Sequence, residues 1–470
     1  MQFPLSGDLH TLLNAVNLEM PQIAELAVTK STLTELNLVG YEGWSPLSLA
    51  SSKGSSALVA SLLQAGADPN LACSPSTLPL HLAAYGGFLE VIRILLDFGV
   101  DPNSRGVFYM KPSRMLDQGA DVNEGGDFSN ALQAASLEGH REVVQMLLDR
   151  GADIDARGGR YSALQAASSG GHKEVVQMLL EQGADVNAQG TKYGYALQAA
   201  SLGGHKEVVQ MLLDRGADVN AQGPVSGNAL QAASSGGHKE VVQMLLERRA
   251  NVNAPSGKYG NALQAASSGG HEVVVQMLLD RGADINSQDQ VGDNALQAAS
   301  SRGHEVVVQM LLERGADVNA LGGKYGSALQ AASSGGHKEV VQMLLDRGAD
   351  VNAQGRSGND ALQAASLGGY KEVVQMLLDR GADVNAQNKV GDNALQAASL
   401  GGHKVVVQML LERGANVNAP GGKYGNALRA ASLGDHKEVV QMLLERGANV
   451  NAPGRKYGYA LQAGSAKGHK

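Results

Sequence analysis

The sequence predicts an all-α solenoid of stacked helix-turn-helix units with projecting finger loops. Three observations support this fold class: a strict repeat, an apolar pattern of helical spacing inside each repeat, and glycines that fall at the same places in every repeat. A fixed period of roughly 20 to 50 residues is typical of a solenoid, in which each unit buries its apolar face against its neighbours. The phrase ALQAAS, once written ALRAAS and last ALQAGS, recurs every 33 residues after a first step of 32, starting at Ala131, Ala163, Ala196, Ala229, Ala262, Ala295, Ala328, Ala361, Ala394, Ala427 and Ala460.

The first helix of a unit is easiest to follow in residues 228–261. Asn228 occupies the N-cap position, where its side chain can accept a hydrogen bond from the first helical turn. Gln231 then completes a capping-box pattern. Small residues follow, and the helix is predicted to end at Gly236 and Gly237, because glycine adopts the left-handed conformation of a helix exit without strain.

The second helix of the same unit is predicted from about His238 or Lys239 to Arg248. Charged residues mark its outward face, and its apolar positions follow helical spacing at Val241, Val242, Met244, Leu245 and Leu246. The next segment, ANVNAPSGKYG, has turn residues but no helical period. It is therefore predicted to project as a loop or a two-stranded finger.

Composition limits the kind of partner and the compartment. The chain of 470 residues carries a net charge of -8 and one cysteine, Cys73. The negative charge argues against nucleic acid or an anionic membrane as the main partner, since both require a basic face. One cysteine excludes an intramolecular disulfide framework. Because the N-terminus lacks a signal-peptide pattern and no apolar run approaches the length of a membrane span, an intracellular location, cytoplasmic or nuclear, is predicted.

The segment from Leu78 to Asn103, LPLHLAAYGGFLEVIRILLDFGVDPN, resembles the ankyrin repeat. Pro79 and His81 match the T-P-L-H-x-A opening of that family, and SPLSLASSKG from Ser45 matches it more loosely. The later units have alanine for the proline and glutamine for the histidine, but nine of eleven keep Asn, Ser or Asp at the N-cap. The resemblance extends to the repeat arrays of fungal ankyrin-domain proteins. It implies an ankyrin solenoid that binds a protein partner without catalysis or a cofactor.

The repeat pattern divides the chain into five predicted segments. These are a degenerate N-terminal capping unit at 1–45, two ankyrin repeats at 46–103, a truncated repeat or hinge at 104–129, ten ankyrin repeats at 130–459, and an incomplete C-terminal repeat at 460–470. In the third segment the sequence passes from FYMKPS directly to RMLDQGADVN, which is the closing half of a unit. Either residues 104–118 form a hinge or a coding segment is missing, and the second explanation is the preferred one.

Neither catalysis nor metal binding is predicted. A histidine opens helix two in nearly every unit, but stacked helices lie roughly 8 to 10 Å apart, whereas a shared zinc ion needs each nitrogen at about 2 Å. Cys73 lies in a loop without a conspicuous partner. The segment GGKYG, which ends at Gly326, lacks the spacer and the Ser or Thr of a phosphate-binding loop.

The finger tips are the variable part of the repeat and are therefore the predicted protein-binding surface. Tyrosine is favoured at interfaces because it buries a large area at little entropic cost; the alternative is that each ring folds back on its own finger. The predicted finger contacts are Tyr161, Tyr193, Tyr259, Tyr325, Tyr424 and Tyr457, with Lys192, Lys258, Lys324, Lys423 and Lys456. A second strip on helix one adds Leu202, Leu367 and Leu400, which are either interface residues or ordinary helix filling.

The predicted function is that of a non-catalytic protein-protein interaction scaffold, which binds an unidentified protein through its finger loops and inner helices. No metal, cofactor, nucleic acid, membrane or small-molecule substrate is predicted. Two alternatives stay open. The chain is a detached recognition arm of a larger NLR-like signalling protein with a nucleotide-hydrolysing domain, or it is an incomplete gene product.

Overall fold

The structure is a computed structural model. It describes residues 9–18, 20–40, 43–73, 77–106, 130–156, 161–190, 194–223, 227–255, 260–324, 326–355, 358–422 and 425–451. These residues form 27 helices and, outside them, isolated β-bridges. They fall into two compact units, Met1–Asn251 and Val252–Lys470. Within each unit consecutive helix pairs pack in a stack, which confirms the predicted all-α solenoid.

The first unit begins with three helices that precede the regular repeats. From α4 onward, even-numbered helices are the first and odd-numbered helices the second of a repeat. The helices are α1 (Leu9–Asn17), α2 (Pro21–Lys30), α3 (Leu33–Leu36), α4 (Pro46–Ser52), α5 (Ser56–Gln64), α6 (Pro79–Tyr85), α7 (Leu89–Asp97), α8 (Ala131–Glu138), α9 (Arg141–Asp149), α10 (Ala163–Gly170), α11 (Lys173–Glu181), α12 (Ala196–Gly203), α13 (Lys206–Asp214), α14 (Ala229–Ser235) and α15 (Lys239–Glu247).

The second unit repeats the same helix pair six times. Its helices are α16 (Ala262–Gly269), α17 (Glu272–Asp280), α18 (Ala295–Arg302), α19 (Glu305–Glu313), α20 (Ala328–Gly335), α21 (Lys338–Asp346), α22 (Ala361–Gly368), α23 (Lys371–Asp379), α24 (Ala394–Leu400), α25 (Lys404–Glu412), α26 (Ala427–Leu433) and α27 (Lys437–Glu445). First helices pack against first helices of the next repeat, and second helices against second helices.

The predicted start of helix one is confirmed by its capping contacts. In α14 the Gln231 backbone N–H donates to Asn228 Oδ1 at 2.9 Å, and the Asn228 backbone N–H donates to Gln231 Oε1 at 2.7 Å. Both bonds satisfy donors that the first turn of a helix would otherwise leave without partners. The cap therefore sets the start of the helix in this unit.

Glutamine also takes over a contact that histidine makes in the repeat closest to the family pattern. His81 Nε2 donates to the Ser104 carbonyl, 23 residues later, at 3.0 Å, and burial lowers the pKa of this imidazole to about 4. Gln297 Nε2 donates to the Ala320 carbonyl, also 23 residues later, at 3.0 Å and to the Gly326 carbonyl at 2.6 Å. The glutamine thus fixes helix one to the finger of the next repeat without a titratable group.

The recurring histidines join repeats through hydrogen bonds. His238 Nε2, at the start of α15, donates to the Leu202 carbonyl at the end of α12 at 2.9 Å. Its ring covers Gly204, whose φ of 71° favours glycine and where a β-carbon would collide with the imidazole. The same bond recurs at His172, His205, His304, His337, His403 and His436. These contacts give the histidines a structural role.

The stack continues across the interval between residues 106 and 130. Helix α6 packs against α8, and α7 packs against α9. His140 Nε2 donates to the Tyr85 carbonyl at 2.9 Å, and Arg150 forms an ion pair with Asp97 at 2.7 Å. Both contacts are of the kind that joins neighbouring repeats elsewhere. The flanking repeats therefore form an interface of their own. Residues 107–129, which carry most of the predicted truncated repeat, lie outside the described residues.

The fingers are narrow turns that are tied to one another by asparagine. Antiparallel bridges close three of them, between Cys73 and Thr77, Gly223 and Gly227, and Gly322 and Gly326. At the end of most GADVN-type segments an asparagine spans two repeats. Asn319 Nδ2 donates to the Gly348 carbonyl at 3.2 Å, and Asn319 Oδ1 accepts from the Asp350 backbone N–H at 2.8 Å. The fingers therefore stack in register with the helices.

Replacing Arg249 by glycine should stabilise its repeat. Arg249 has a φ of 65° at a position where most other repeats have glycine. At the equivalent Gly348, an added β-carbon would meet no atom within 4 Å, so the penalty is conformational rather than steric. We expect R249G to raise the free energy of unfolding by about 1 kcal/mol, measured as a higher urea midpoint. R248G, at a neighbouring residue with a φ of -86°, should give no gain; equal gains from both changes would contradict this explanation.

Candidate protein-binding groove

Most of the predicted finger contacts lie outside the described residues, namely Tyr193, Tyr259, Tyr325, Tyr424, Tyr457, Lys192, Lys258, Lys423 and Lys456. Tyr161 is described and is 3% exposed, so its ring is buried rather than displayed to a partner. Lys324 is exposed, and its backbone N–H donates to Asp293 Oδ2 in the preceding finger at 3.1 Å. Partner binding by the finger side chains remains a prediction.

Two of the three predicted leucines on helix one line a groove in the second unit. Leu367 on α22 is 54% exposed, and Leu400 on α24 is half-buried. Together with polar residues at the base of two fingers, they line a groove of about 210 Å³. Leu202 on α12 is half-buried and belongs to the first unit.

The apolar part of the groove follows from the composition of helix one. Helices α22 and α24 are the first helices of neighbouring repeats and pack directly against each other. Ala364 and Ala397 line the groove with the two leucines. Because alanine fills little volume, space remains between the helices, and the leucines one turn later border that space. The small residues of the ALQAAS phrase thus leave space between the two helices. The residue directly after the phrase, which is leucine at Leu367 and Leu400, determines whether the edge of that space is apolar.

Hydrogen bonds hold the polar part of the groove in place. Gln363 Nε2 donates to two carbonyls of the next finger, one of which belongs to Asp392 at 3.3 Å. Asn388 Nδ2 donates to Asn359 Oδ1 at 2.7 Å, which joins two successive fingers by their side chains. Asp392 Oδ1 accepts from the Gly422 backbone N–H at 3.0 Å. The groove is therefore preorganised on its polar side.

Asn393 carries a buried amide donor that has no hydrogen-bond partner among the described residues. It caps α24: its Oδ1 accepts from the Gln396 backbone N–H at 3.1 Å. The residue is 1% exposed and lines the groove, and within the described part of the chain its Nδ2 has no partner. A buried donor left unsatisfied costs about 1 to 3 kcal/mol.

Asp360 places a buried carboxylate next in sequence to the groove residue Asn359. It caps α22, where its Oδ1 accepts from the Gln363 backbone N–H at 2.8 Å. Burial raises the pKa of this carboxyl to about 6, and the negative charge of Asp383 adds to the rise, although hydrogen bonds from two backbone N–H groups oppose it. The side chain is 2% exposed.

The described ranges offer little support for other kinds of site. They contain no group of three or more His, Cys, Asp or Glu that could hold a metal ion. None of their helices is both long enough and apolar enough to cross a membrane. Cys73 is buried, and burial raises the pKa of its thiol, which lowers the fraction of reactive thiolate. The groove is consequently the candidate site, and its side chains offer apolar surface, amides and one carboxylate.

The polar residues of the groove were missed by the sequence prediction. Asn359, Asn388 and Asp392 belong to the fingers GRSGND and NKVGD, which depart from the common finger. This difference from the common finger sequence could have identified these residues, since the variable fingers are the predicted binding surface. The sequence predicts the finger tyrosines as contacts instead, because aromatic residues are common interface anchors.

Comparison with known families agrees with the fold. A family model described as ankyrin repeats (3 copies) matches residues 12–106, 156–223, 197–289, 229–322, 263–355, 321–388 and 361–453. A second model, described as ankyrin repeats (many copies), matches residues 131–180. A search of curated proteins found no significant match. Because the matched segments cover most of the chain, the chain belongs to the ankyrin-repeat family.

Proposed function

We propose that the chain is a non-catalytic scaffold that binds a protein partner through its finger loops and the inner surface of its first helices. Ankyrin repeats are general protein-protein interaction modules. The observation that favours this surface is the groove of the second unit, where an exposed leucine, a half-buried leucine and finger residues lie side by side. A contiguous apolar lining rimmed by polar groups, as in this groove, is typical of an interaction surface.

We further propose a protein partner inside the cell, in the cytoplasm or the nucleus, rather than nucleic acid. The net charge of -8 supports this choice, because a nucleic-acid surface needs clustered basic residues. The single cysteine supports an intracellular site, since extracellular proteins commonly use disulfides. The charged residue that lines the groove, Asp392, is acidic.

Affinity capture with the full chain, followed by cross-linking and mass spectrometry, tests this proposal. The native chain is compared with L202S/L367S/L400S and with a second variant in which the finger tyrosines other than Tyr161 become alanine. Tyr161 stays unchanged because removing a buried ring would perturb folding. We expect a partner whose recovery falls at least about tenfold in one or both variants, since loss of apolar contacts of roughly 1.5 kcal/mol each reaches that size. Equal recovery by all three chains would contradict the proposed surface, and catalytic turnover would contradict the scaffold role.

A further inference from the structure

We infer that the chain carries 19 extra residues inserted into one finger, between Ser104 and Asn130, and that the repeats on either side stack as direct neighbours. On this inference the extra residues are neither a partial repeat nor the remains of a lost one. The argument uses contacts between described residues of the first unit, and it does not depend on the proposed function.

The histidine contact gives the length of the insertion. His140 Nε2 donates to the Tyr85 carbonyl at 2.9 Å, and these residues are 55 apart in the sequence. The equivalent bond from His238 to the Leu202 carbonyl spans 36 residues, so the difference is 19. The ring of His140 also covers Gly87, whose φ of 71° favours glycine. The contact between the two repeats is therefore the usual one, made across a longer stretch of chain.

The ion pair between the second helices shows the same displacement. Arg150 Nη2 lies 2.7 Å from Asp97 Oδ1, and the two residues are separated by 53 positions. In a later repeat the equivalent pair, Arg248 with Asp214, is separated by 34 positions, which is again 19 fewer. The histidine bond involves the end of helix one and the ion pair involves the end of helix two. Both helices of the repeat thus keep their normal positions against the next repeat.

The asparagine at the base of the finger gives the same number twice. Asn103 Nδ2 donates to the Gly151 carbonyl at 3.0 Å across 48 residues, and Asn103 Oδ1 accepts from the Asp153 backbone N–H at 2.6 Å across 50 residues. The same two bonds of Asn319 span 29 and 31 residues. A common displacement in helix one, helix two and the finger is what an insertion in a single loop produces.

Contacts on both sides set the limits of the insertion. His81 Nε2 donates to the Ser104 carbonyl, 23 residues later, and this is the separation at which Gln297 makes its equivalent bond. Asn130 caps α8, where its Oδ1 accepts from the Gln133 backbone N–H at 2.9 Å. The repeat is regular up to Ser104 and regular again from Asn130. The extra residues therefore lie between these two.

These contacts argue against a partial repeat and against a hinge at this point. A layer of helices between α6 and α8 would move them apart, since packed helices lie roughly 8 to 10 Å from each neighbour. His140 and Tyr85 are instead in direct hydrogen-bond contact. A hinge requires a break in the interface between neighbouring repeats, but the histidine bond, the ion pair and both asparagine bonds are present. A lost coding segment is likewise not needed, because the flanking repeats already fit each other.

Deletion of residues 105–123 from the full chain tests the inference. The variant keeps Ser104 and leaves seven residues between Asn103 and Asn130, as residues 320–326 do in a regular repeat. We expect the far-UV circular dichroism signal per chain to persist and the urea midpoint to be at least that of the native chain. The equilibrium constant for unfolding should fall by up to about sevenfold, because shortening the loop from the 26 residues of 104–129 lowers the entropic cost of closing it.

A deletion of equal length inside a repeat is the control. Removing residues 141–159 takes away α9 together with Arg150, so it should lower both the urea midpoint and the helical signal. This result would show that the measurement detects the loss of a stacked element.

A pair of point variants distinguishes the two copies of the closing half of a unit, which end at Asn103 and Asn123. N103A should speed hydrogen exchange at the Asp153 backbone amide several-fold, because it removes the acceptor of that N–H. N123A should leave this exchange rate unchanged.

Two results would overturn the inference. The first is a urea midpoint below that of the native chain after deletion of residues 105–123, which would make the deleted residues part of the stack. The second is faster exchange at Asp153 in N123A, which would assign the finger contact to the second copy. Neither result bears on partner recovery by the native chain, so failure of this inference and failure of the proposed function are distinguishable.

Discussion

The variant S300A/S333A/S366A/S399A should raise the free energy of unfolding of the second unit by about 4 to 6 kcal/mol. Each of these serines ends an ALQAAS phrase, is 0% exposed, and has an Oγ without a hydrogen-bond partner in the described part of the chain. Burying an unsatisfied hydroxyl costs about 1 kcal/mol or more, and alanine is a better helix former by roughly 0.5 kcal/mol. Ala84, in the repeat closest to the family pattern, already fills this position at 0% exposure. Alanine therefore fits the site.

The matched control is S301A/S334A, one residue further along two of the same helices. Ser301 Oγ donates to the Ala298 carbonyl at 2.9 Å, and Ser334 Oγ donates to the Ala331 carbonyl at 2.9 Å. Because Ser301 is half-buried, Ser334 is exposed and both hydroxyls are satisfied, we expect their removal to change stability by less than about 0.5 kcal/mol each. Urea midpoints followed by circular dichroism measure both variants. Equal stabilisation per residue in the two would show that helix propensity, not the buried hydroxyl, is the cause.

The helices could be predicted because their signals are local. The cap at Asn228 and the glycines after α14 lie within a few residues of the helix ends, and the apolar pattern of α15 lies inside the helix. The second role of the glutamines could not be predicted in the same way. Gln297 donates to carbonyls 23 and 29 residues later in the sequence. These groups come into contact only when the finger of the next repeat has folded against helix one.

The segment before Asn130 shows a second limit of prediction from sequence. Counting periods along the chain predicts a defective repeat in residues 104–129, because RMLDQGADVN copies the end of a unit. Counting periods cannot reveal that α6 packs directly on α8, because this packing depends on the surfaces of the two helices. Similarly, the leucines of the groove were predicted, but the groove itself needs Asn359 and Asn388 from successive fingers to meet.

The variant D360N should be more stable than the native chain by about 2 to 3 kcal/mol above pH 6 and equally stable below about pH 4. The pKa of Asp360 in the fold is about 6, above its ordinary value of 3.8, so the fold favours the protonated carboxyl. The stability that protonation provides is complete below pH 3.8 and is lost as the pH rises through 6. Each unit of pKa difference corresponds to about 1.4 kcal/mol. Asparagine caps a helix as well as aspartate and does not titrate.

The reverse substitution, N294D, separates burial of the charge from loss of the cap. Asn294 caps α18, is 1% exposed, and accepts from the Gln297 backbone N–H at 2.9 Å. An aspartate there keeps the cap but buries a carboxylate, so N294D should destabilise the chain above pH 6 and have little effect at pH 4. Urea midpoints at several pH values measure both variants. Parallel pH profiles for D360N and the native chain would show that Asp360 ionises in the fold without cost and would contradict a raised pKa for this carboxyl.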